Sequence, residues 1–335
     1  MGNGPDRDGT KSFEKIVTHN DFDGIVSAAL CARALGVGKV LFAGPLAIQR
    51  SQITITDRDV VCDLPYPLEC GLWFDHHEGN LQELEYRKID PRSIPGRFAP
   101  ALSCSRVVFE YFSERMELPS YFLQAVEEAD VIDGFTYASV EDWRRETPGK
   151  RIDWSLKAQF PSVEDQNGYL RLLVRELRDR PIEAVSRLEV VQKRLVQYRE
   201  EEERMLKIIR DSSSFLDQDA KKEIVVIDLT PYQRRPHLIK NLALLLYPEA
   251  KGILEVYNLI EQRVKTNHLG FSMSLSIHGN RDGKKNIGEI MRTLNIGDGH
   301  PGAAAGQVRC RSKQEMLKRK KEILDQIFRL WSLQG

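Results

Sequence analysis

The sequence lacks a net charge, a cysteine pair with metal-binding spacing and a long apolar run. Lys plus Arg and Asp plus Glu each number 49 among 335 residues, so any attraction for phosphate must be local rather than spread over a basic surface. The five cysteines form no CxxC pair, which excludes thiolate zinc sites and favours reduced, mostly buried cysteines. No apolar stretch approaches the roughly 20 residues that a membrane span needs.

The amino-terminal segment, MGNGPDRDGTKS, is polar and rich in glycine. It contains no apolar core of a secretory signal, and Asp6 stands where a myristoylation motif requires Ser or Thr. We therefore expect a frayed leader, a soluble cytoplasmic protein and no membrane partner. Hydrophobic residues make up 41% and charged residues 29%, which is an ordinary globular composition, and the length suits two domains.

Short apolar runs alternate with amphipathic patterns in the first half of the chain, which favours a largely parallel sheet with helices on its faces. The predicted strands are residues 15–18, 40–43, 60–62 and 72–74, and the predicted helices are 24–35, 105–114 and 121–129. In such sheets the working site lies beyond the carboxyl ends of the strands.

The second half begins with a long helical pattern over residues 181–212, which we interpret as a link between two domains. Strands are predicted at 223–228, 253–257 and 270–277, and helices at 237–246 and 286–294. A capping box of Ser312 and Glu315 opens a last helix that runs to about Leu333. These patterns predict an α/β protein with a mostly parallel first domain (13–170), a helical connector (171–215) and a smaller α/β domain with a carboxyl-terminal helix (216–335).

Acidic and imidazole side chains follow three of the predicted strands. The segment after the first strand reads HNDFDG, residue 63 follows the third strand, and the fourth ends in a DHH tripeptide. A later helix carries Asp130 and Asp133. Each residue alone has an ordinary interpretation, since Asp21 suits a helix N-cap, Asp63 a turn and a single histidine a structural role. Together at one sheet edge, the carboxylates would repel one another unless a cation neutralised them.

This ligand set has hard oxygens, some imidazole and no thiolate, so it favours Mn²⁺ or Mg²⁺ over zinc. It is larger than one ion requires, and a pair of ions that shares a carboxylate is the arrangement that drives phosphoryl hydrolysis. The pattern therefore indicates a phosphoesterase with two divalent ions.

The ordered motifs resemble the DHH phosphoesterase superfamily. The first is His19-x-Asp21-x-Asp23-Gly24, then Asp63 follows an apolar run, and then comes Asp75-His76-His77. Residues 297–306, GDGHPGAAAG, resemble the GGGHxxAAG signature of the companion DHHA1 domain. That superfamily includes RecJ-type exonucleases, small oligoribonucleases, cyclic-dinucleotide phosphodiesterases, exopolyphosphatases and family II pyrophosphatases.

The resemblance implies a metal ligand set of His19, Asp21, Asp23, Asp63, His76 and a later aspartate. In this scheme Asp63 bridges two Mn²⁺ ions, with Mg²⁺ as the alternative. We prefer Asp130 to Asp133 as the later aspartate because of its position at the helix end. Asp75 is expected to orient His76, and His77 to contact the phosphate or protonate the leaving oxygen.

The second domain is expected to bind the substrate. The resemblance implies that His300, with the backbone at Gly299 and Gly302, grips a terminal phosphate or nucleotide. Asp298 departs from the family pattern, and SLS at residues 274–276 stands where a phosphate-binding arginine is often found. Arg281 or Arg292 is a candidate for the missing cation. Arg234 and Arg235 could steer an anion or simply be surface residues, and the basic run 318–321 suits a solvated helix face.

The function that we expect is Mn²⁺-dependent hydrolysis of short oligonucleotides from one end, as in an oligoribonuclease or exonuclease. A dinucleotide phosphodiesterase, linear or cyclic, and an exopolyphosphatase are the enzymatic alternatives. A nucleotide-binding sensor is the non-enzymatic alternative, and the sequence leaves a homodimer open.

Overall fold

The computed structural model describes residues 12–335, so most of the predicted polar leader lies outside the described residues. Two compact units divide the chain. The first comprises residues 12–136 and 145–198, and the second comprises residues 137–144 and 199–335. Within the described part of the chain, no helix is both long and apolar enough to cross a bilayer.

The first unit contains the predicted parallel sheet, whose five strands all run in the same direction. Their spatial order is β2-β1-β3-β4-β5. The strands are β1 (Lys15–Thr18), β2 (Val40–Phe42), β3 (Asp59–Cys62), β4 (Leu72–Asp75) and β5 (Gly96–Phe98). Thr18 is in register with Cys62, and Cys62 with Phe74, so the central strands end at nearly the same level.

Helices cover the sheet of the first unit and continue beyond it. They are α1 (Phe22–Leu35), α2 (Pro45–Gln49), α3 (Glu78–Tyr86), α4 (Cys104–Ser113), α5 (Phe122–Asp133), α6 (Val140–Arg144), α7 (Pro148–Lys157), α8 (Val163–Asp179), α9 (Ile182–Ser186) and α10 (Glu189–Ser212). Of these, α6 belongs to the second unit, and the division between the units falls within α10.

Helix α1 lies at the centre of the first unit, and residues 22–32 are all buried. Its sequence, FDGIVSAALCA, is apolar on nearly every side, as expected for a helix surrounded by protein. Asp21 caps its amino terminus and Gly36, with a φ of 70°, ends it, as the sequence predicted. The sheet and α1 therefore form a rigid base for the residues after β1.

The second unit is built on a six-stranded sheet in the order β10-β11-β9-β8-β7-β6. Only β7 and β8 are parallel neighbours; the other pairs are antiparallel. The strands are β6 (Ser213–Ser214), β7 (Ile224–Asp228), β8 (Gly252–Glu261), β9 (Val264–Leu275), β10 (Gly297–His300) and β11 (Ala303–Val308). The helices of this unit after α10 are α11 (Ile277–Asp282), α12 (Ile287–Thr293) and α13 (Lys313–Leu333). One face of the sheet, which includes Phe271 and Met273, packs with Ile290 of α12 and Ile327 of α13 in an apolar core.

The predicted α/β class is confirmed, whereas two local helix predictions were wrong. The helix predicted over 181–212 is interrupted between α9 and α10 at residues 187–188. The helix predicted at 237–246 is a 3-10 segment, Lys240–Leu245. The glycine- and alanine-rich segment forms the β10–β11 hairpin, because its small side chains let the two strands approach closely. The prediction of buried cysteines is confirmed for all five.

Candidate metal centre

The segment after β1 carries the first three candidate ligands. Asp21 Oδ1 accepts a hydrogen bond from the backbone N–H of Gly24 (2.9 Å), and Oδ2 lies 2.5 Å from His19 Nδ1. Asp23 is buried and accepts hydrogen bonds from the backbone N–H groups of Cys104 (2.7 Å) and Ser105 (2.8 Å) at the start of α4. The two aspartates are therefore held by the amino termini of different helices, where a negative charge is favoured.

Gly24 is required by close packing rather than by the turn into α1. A Cβ atom at this position would contact the carbonyl group of His19, and the Thr18 hydroxyl would lie 3.0 Å away. The Thr18 hydroxyl also donates to the carbonyl oxygen of Gly24 (2.8 Å). The absence of a side chain lets the first turn of α1 lie directly against the backbone of His19.

Asp63 follows β3 and lies at the centre of the candidate site. It is 4% exposed, and its φ of 58° places it in the left-handed region, which is uncommon for a residue other than glycine. Its Oδ2 lies 3.8 Å from His19 Nδ1, and its Oδ1 lies 3.6 Å from His76 Nε2. One carboxylate thus faces ligands from two different strand ends.

His76 is oriented by a backbone group. Its Nδ1 lies 3.0 Å from the carbonyl oxygen of Ala101, which can only accept, so Nδ1 donates and Nε2 is the nitrogen that faces the candidate site. Nε2 points at carboxylates of Asp133 (3.4 Å), Asp63 (3.6 Å) and Asp23 (3.9 Å). A histidine that binds a metal through one ring nitrogen commonly donates from the other to a carbonyl oxygen in this way.

Asp75 orients His77 instead of His76, contrary to the expectation from the resemblance. Its Oδ1 accepts from His77 Nδ1 (2.9 Å), and its Oδ2 accepts from the side-chain amide of Asn80 (2.7 Å). Asp75 is fully buried, whereas about half of the His77 side chain is exposed. The carboxylate fixes the His77 ring while leaving its other nitrogen available to a substrate.

The structure brings Asp133, rather than Asp130, to the other candidate ligands. Asp133 Oδ2 lies 3.4 Å from His76 Nε2. Asp130 instead accepts from the hydroxyl of Ser103 (2.6 Å) and forms an ion pair with Arg106 (2.6 Å). Asp130 therefore ties α5 to the start of α4.

Electrostatic repulsion is concentrated on Asp63 and Asp133. Burial, together with the nearby charges of Asp21, Asp23 and Asp133, raises the pKa of Asp63 well above its ordinary value. Burial, with Asp23 and Asp21, raises the pKa of Asp133 to about 8. Burial also raises the pKa of Asp23. Carboxylates held this close without a cation therefore favour protonation.

Two histidines near these carboxylates, His77 and His19, each have an aspartate as a hydrogen-bond partner. Burial would lower the pKa of His77, but its hydrogen bond with Asp75 outweighs this effect and raises it. The same balance, with Asp21 as partner, raises the pKa of His19. Burial would raise the pKa of Asp21, yet the bond with His19 lowers it. Both histidines therefore retain a proton more readily than a solvated imidazole does.

The side chains fit divalent ions. Three groups of residues each place their candidate ligand atoms within 4.8 Å of one another. The groups are Asp63 with His76 and His77, His19 with Asp21 and Asp63, and Asp23 with His76 and Asp133. Among the described residues, neither His76 Nε2 nor Asp63 Oδ2 has a hydrogen-bond partner, although both atoms are buried. Unsatisfied buried polar atoms are rare, and a missing ion is one of their ordinary explanations.

The candidate substrate-binding residues lie in the second unit. His300 ends β10 and is exposed, and its Nδ1 accepts from the backbone N–H of Gly302 (3.2 Å). The N–H of Gly299 donates to Asp298, and a Cβ atom at Gly299 would contact β11. The two glycine N–H groups therefore bind residues of the hairpin itself. Asp298 is paired with Arg292 (2.6 Å), which neutralises its charge. Arg281 is exposed on α11.

Sequence reasoning missed the groups that support the ligands. The Ala101 carbonyl and the N–H groups at the start of α4 are backbone atoms, so their residue types give no signal. Asn80 could have been found, because it lies one turn of α3 beyond the DHH tripeptide. Arg106 gave no such signal, because it lies 24 residues before Asp130 and only the structure shows that the two form an ion pair.

Comparison with known proteins shows the fold. No protein-family model and no curated protein sequence matches the chain. A pGpG-specific phosphodiesterase, PggH from Vibrio cholerae, is 22% identical with a TM-score of 0.70, and the alignment covers 94% of this chain and 98% of that one. RecJ from Thermus thermophilus, solved with Mn²⁺, is 14% identical (TM-score 0.56; 95% of this chain, 52% of RecJ). An exopolyphosphatase-related protein from Bacteroides fragilis is 13% identical (TM-score 0.51; 96% and 94%). The chain therefore has the fold of the DHH-domain proteins, which confirms the resemblance predicted from its motifs.

Proposed function

We propose that the protein is a phosphodiesterase that uses two divalent metal ions, with Mn²⁺ preferred, to hydrolyse short oligonucleotides. The observation that carries this proposal is the buried Nε2 of His76, which has no hydrogen-bond partner among the described residues and faces three carboxylates. A bound pair of cations would relieve the mutual repulsion of these carboxylates directly.

The first unit supplies the ligands. His19 and Asp21 would hold one ion, His76, Asp23 and Asp133 would hold the other, and Asp63, between His19 and His76, would be shared. Asp133 takes the place that we first gave to Asp130. When bound, the ions lower the pKa of a water molecule and neutralise the phosphate oxygens.

His77 is the candidate proton donor. Asp75 holds Nδ1, so Nε2 is the nitrogen that can meet a phosphate oxygen. Its raised pKa keeps a proton on the ring, which suits protonation of a leaving oxygen. Exposure of about half the side chain leaves room for the substrate to reach it.

A linear dinucleotide phosphodiesterase is the second candidate. The similarity to PggH favours it, since that protein is named for pGpG and matches nearly the full length of both chains. Balanced charge also favours a small substrate, because the chain lacks the basic excess of a protein that tracks a long polymer.

The test is hydrolysis by the full-length protein with Mn²⁺, Mg²⁺ or EDTA. The substrates are a 5′-labelled RNA dimer, a 5′-labelled RNA pentamer, pGpG, a cyclic dinucleotide and polyphosphate. We expect metal-dependent release of nucleoside monophosphates from the short RNAs, or from pGpG alone if the second candidate is correct. Asp63→Asn is expected to abolish turnover, whereas the exposed control Asp217→Asn is not. Rapid loss of polyphosphate with intact RNA and pGpG would refute the proposal.

A further inference from the structure

One face of the sheet in the second unit, which we call the polar face, carries several polar side chains beside Ile253, and the metal chemistry leaves these polar side chains unexplained. Directly paired residues on antiparallel strands point to the same face, so Glu255 and Ser272 share one face, and so do Ser274, Ala303 and His300. The opposite face is apolar and packs on α12 and α13. The polar face therefore carries the predicted substrate-binding histidine together with a second group of polar side chains.

Two cations lie over this face. Lys240, in the 3-10 segment before β8, donates from Nζ to the hydroxyl of Ser272 (2.7 Å). The guanidinium of Arg235 binds Glu255 (2.6 Å) and lies 3.5 Å from the ring centre of Tyr257. We call Arg235, Lys240, Glu255 and Ser272 the basic cluster.

Arg235 is held in a fixed position. The Tyr257 ring packs over Gly270 on the neighbouring strand, where any Cβ atom would contact the ring. Arg235 in turn stacks on the ring and is tied to Glu255, which is 2% exposed. A pre-positioned guanidinium loses little conformational freedom when it binds an anion.

Positive charge exceeds negative charge within the basic cluster, since two cations share one carboxylate. Burial lowers the pKa of Lys240 to about 8; Glu255 opposes this shift and Arg235 adds to it. A partly buried ammonium that donates to a hydroxyl is incompletely compensated, because a charge removed from water normally requires an opposite charge. The basic cluster therefore has one more positive than negative charge, and an anion would balance it.

We propose that Lys240, Arg235 and Ser272 form a binding site for a phosphate group of a nucleotide on the polar face of the second unit. This assignment rests on the proposed function in taking the ligand to be a nucleotide. It also identifies which cations replace the arginine missing at residues 274–276, since Arg292 is bound to Asp298. Ser274, whose hydroxyl donates to Asn241 (2.9 Å), links the cluster to the His300 side of the face.

The test uses the full-length protein and pGpG as the probe. Binding is measured by calorimetry in EDTA, and KM and kcat are measured with Mn²⁺. We expect Lys240→Met to weaken binding and raise KM by at least roughly tenfold, as the loss of a charge-assisted hydrogen bond implies. Its kcat on bis(4-nitrophenyl) phosphate, a small diester without a second phosphate group, is expected to stay within about twofold of the wild type, a shift worth less than half a kcal/mol.

Matched variants keep the test decisive. Lys318→Met removes an exposed lysine of α13 (77% exposed side chain) and is expected to change neither measurement. An equal loss in both lysine variants would overturn the proposal, because the effect would then be general charge. If Lys240→Met lowers the melting temperature by more than about 5 °C, Ser272→Ala, which removes only the hydroxyl, replaces it, with the same expectation of weaker binding.

The two proposals fail differently. Hydrolysis of pGpG with an unchanged KM in the Lys240 and Ser272 variants would overturn the phosphate site and leave the proposed function intact. Binding of pGpG that depends on Lys240, in a wild-type protein that hydrolyses no phosphodiester, would overturn the proposed function and support the phosphate site.

Discussion

Asp63→Asn should weaken metal binding without weakening the metal-free fold. The reason is that the carboxylate that we propose as a metal ligand destabilises the protein when no metal is bound. Without ions, the wild type must either bury a negative charge that Asp21, Asp23 and Asp133 oppose or bind a proton at Asp63, whereas the variant does neither. The amide that replaces the carboxylate costs about 1–3 kcal/mol if it lacks a partner, which is less than the cost of a buried unpaired charge. We therefore expect the melting temperature of the metal-free variant to equal or exceed that of the metal-free wild type.

The gain in melting temperature on binding Mn²⁺ should be smaller in the variant than in the wild type. At a free Mn²⁺ concentration 100 times the dissociation constant, binding stabilises the native state by about 2.7 kcal/mol. For a unit of this size each kcal/mol corresponds to roughly 2–4 °C, so the wild type should gain roughly 5–11 °C. The variant should gain almost nothing, since Asp63 is the carboxylate that faces ligands from both strand ends.

Differential scanning calorimetry with EDTA and with a Mn²⁺ series measures both effects. A common destabilising mutation would lower the metal-free melting temperature and leave the metal-induced gain unchanged. That result would refute the idea that repulsion at Asp63 is relieved by bound ions. Asp217→Asn, an exposed aspartate outside the first unit, is the control and should resemble the wild type in both conditions.

Three further predictions concern individual side chains. Asp133→Asn should weaken Mn²⁺ binding at least roughly tenfold, as measured by Mn²⁺ titration. Asp130→Asn, on the same helix, should keep the Mn²⁺ affinity but lose about 1.5–3 kcal/mol of stability in urea unfolding, because its ion pair with Arg106 is lost. The reverse pattern would restore Asp130 as the ligand. Burial and nearby carboxylates raise the pKa of Asp133 to about 8, so between its unfolded pKa and pH 8 the metal-free native state binds a proton that the unfolded state does not. The stability of the protein in EDTA should therefore fall as the pH rises through this range, and it should fall less steeply in Asp133→Asn. A series of melting temperatures at different pH values measures both. Asp75→Asn should lower kcat roughly 10–100-fold with little change in Mn²⁺ affinity, because Asp75 contacts His77 and not His76; a parallel loss of Mn²⁺ affinity would contradict that assignment.

The sequence predicted the position of the candidate site better than its details. His19, Asp63 and Asp75 each follow a short apolar run, and parallel strands bring such positions to one sheet edge whatever helices lie between them. The choice between Asp130 and Asp133 could not be made in the same way. Both occur on α5 within one turn, and the deciding contact, Arg106, comes from another helix.

The second unit shows the same limit for glycine-rich sequences. Residues 297–306 match a signature whose small residues suggest a loop around an anion, but here small residues permit a tight hairpin. The information that places Lys240 beside Ser272 lies in the packing of a 3-10 segment against a strand 32 residues away in sequence. No periodicity of either segment predicts that contact.

Each unit contains one group of charges that its neighbouring side chains do not balance. The group is negative at the candidate metal centre of the first unit and positive in the basic cluster of the second unit. At the strand ends of the first unit, carboxylates outnumber their cationic partners, and the buried Nε2 of His76 lacks a hydrogen-bond partner among the described residues. On the polar face of the second unit, Arg235 pairs with Glu255, whereas Lys240 donates to the hydroxyl of Ser272. Each group would be stabilised by the charge that it lacks, a divalent cation in one unit and a phosphate in the other.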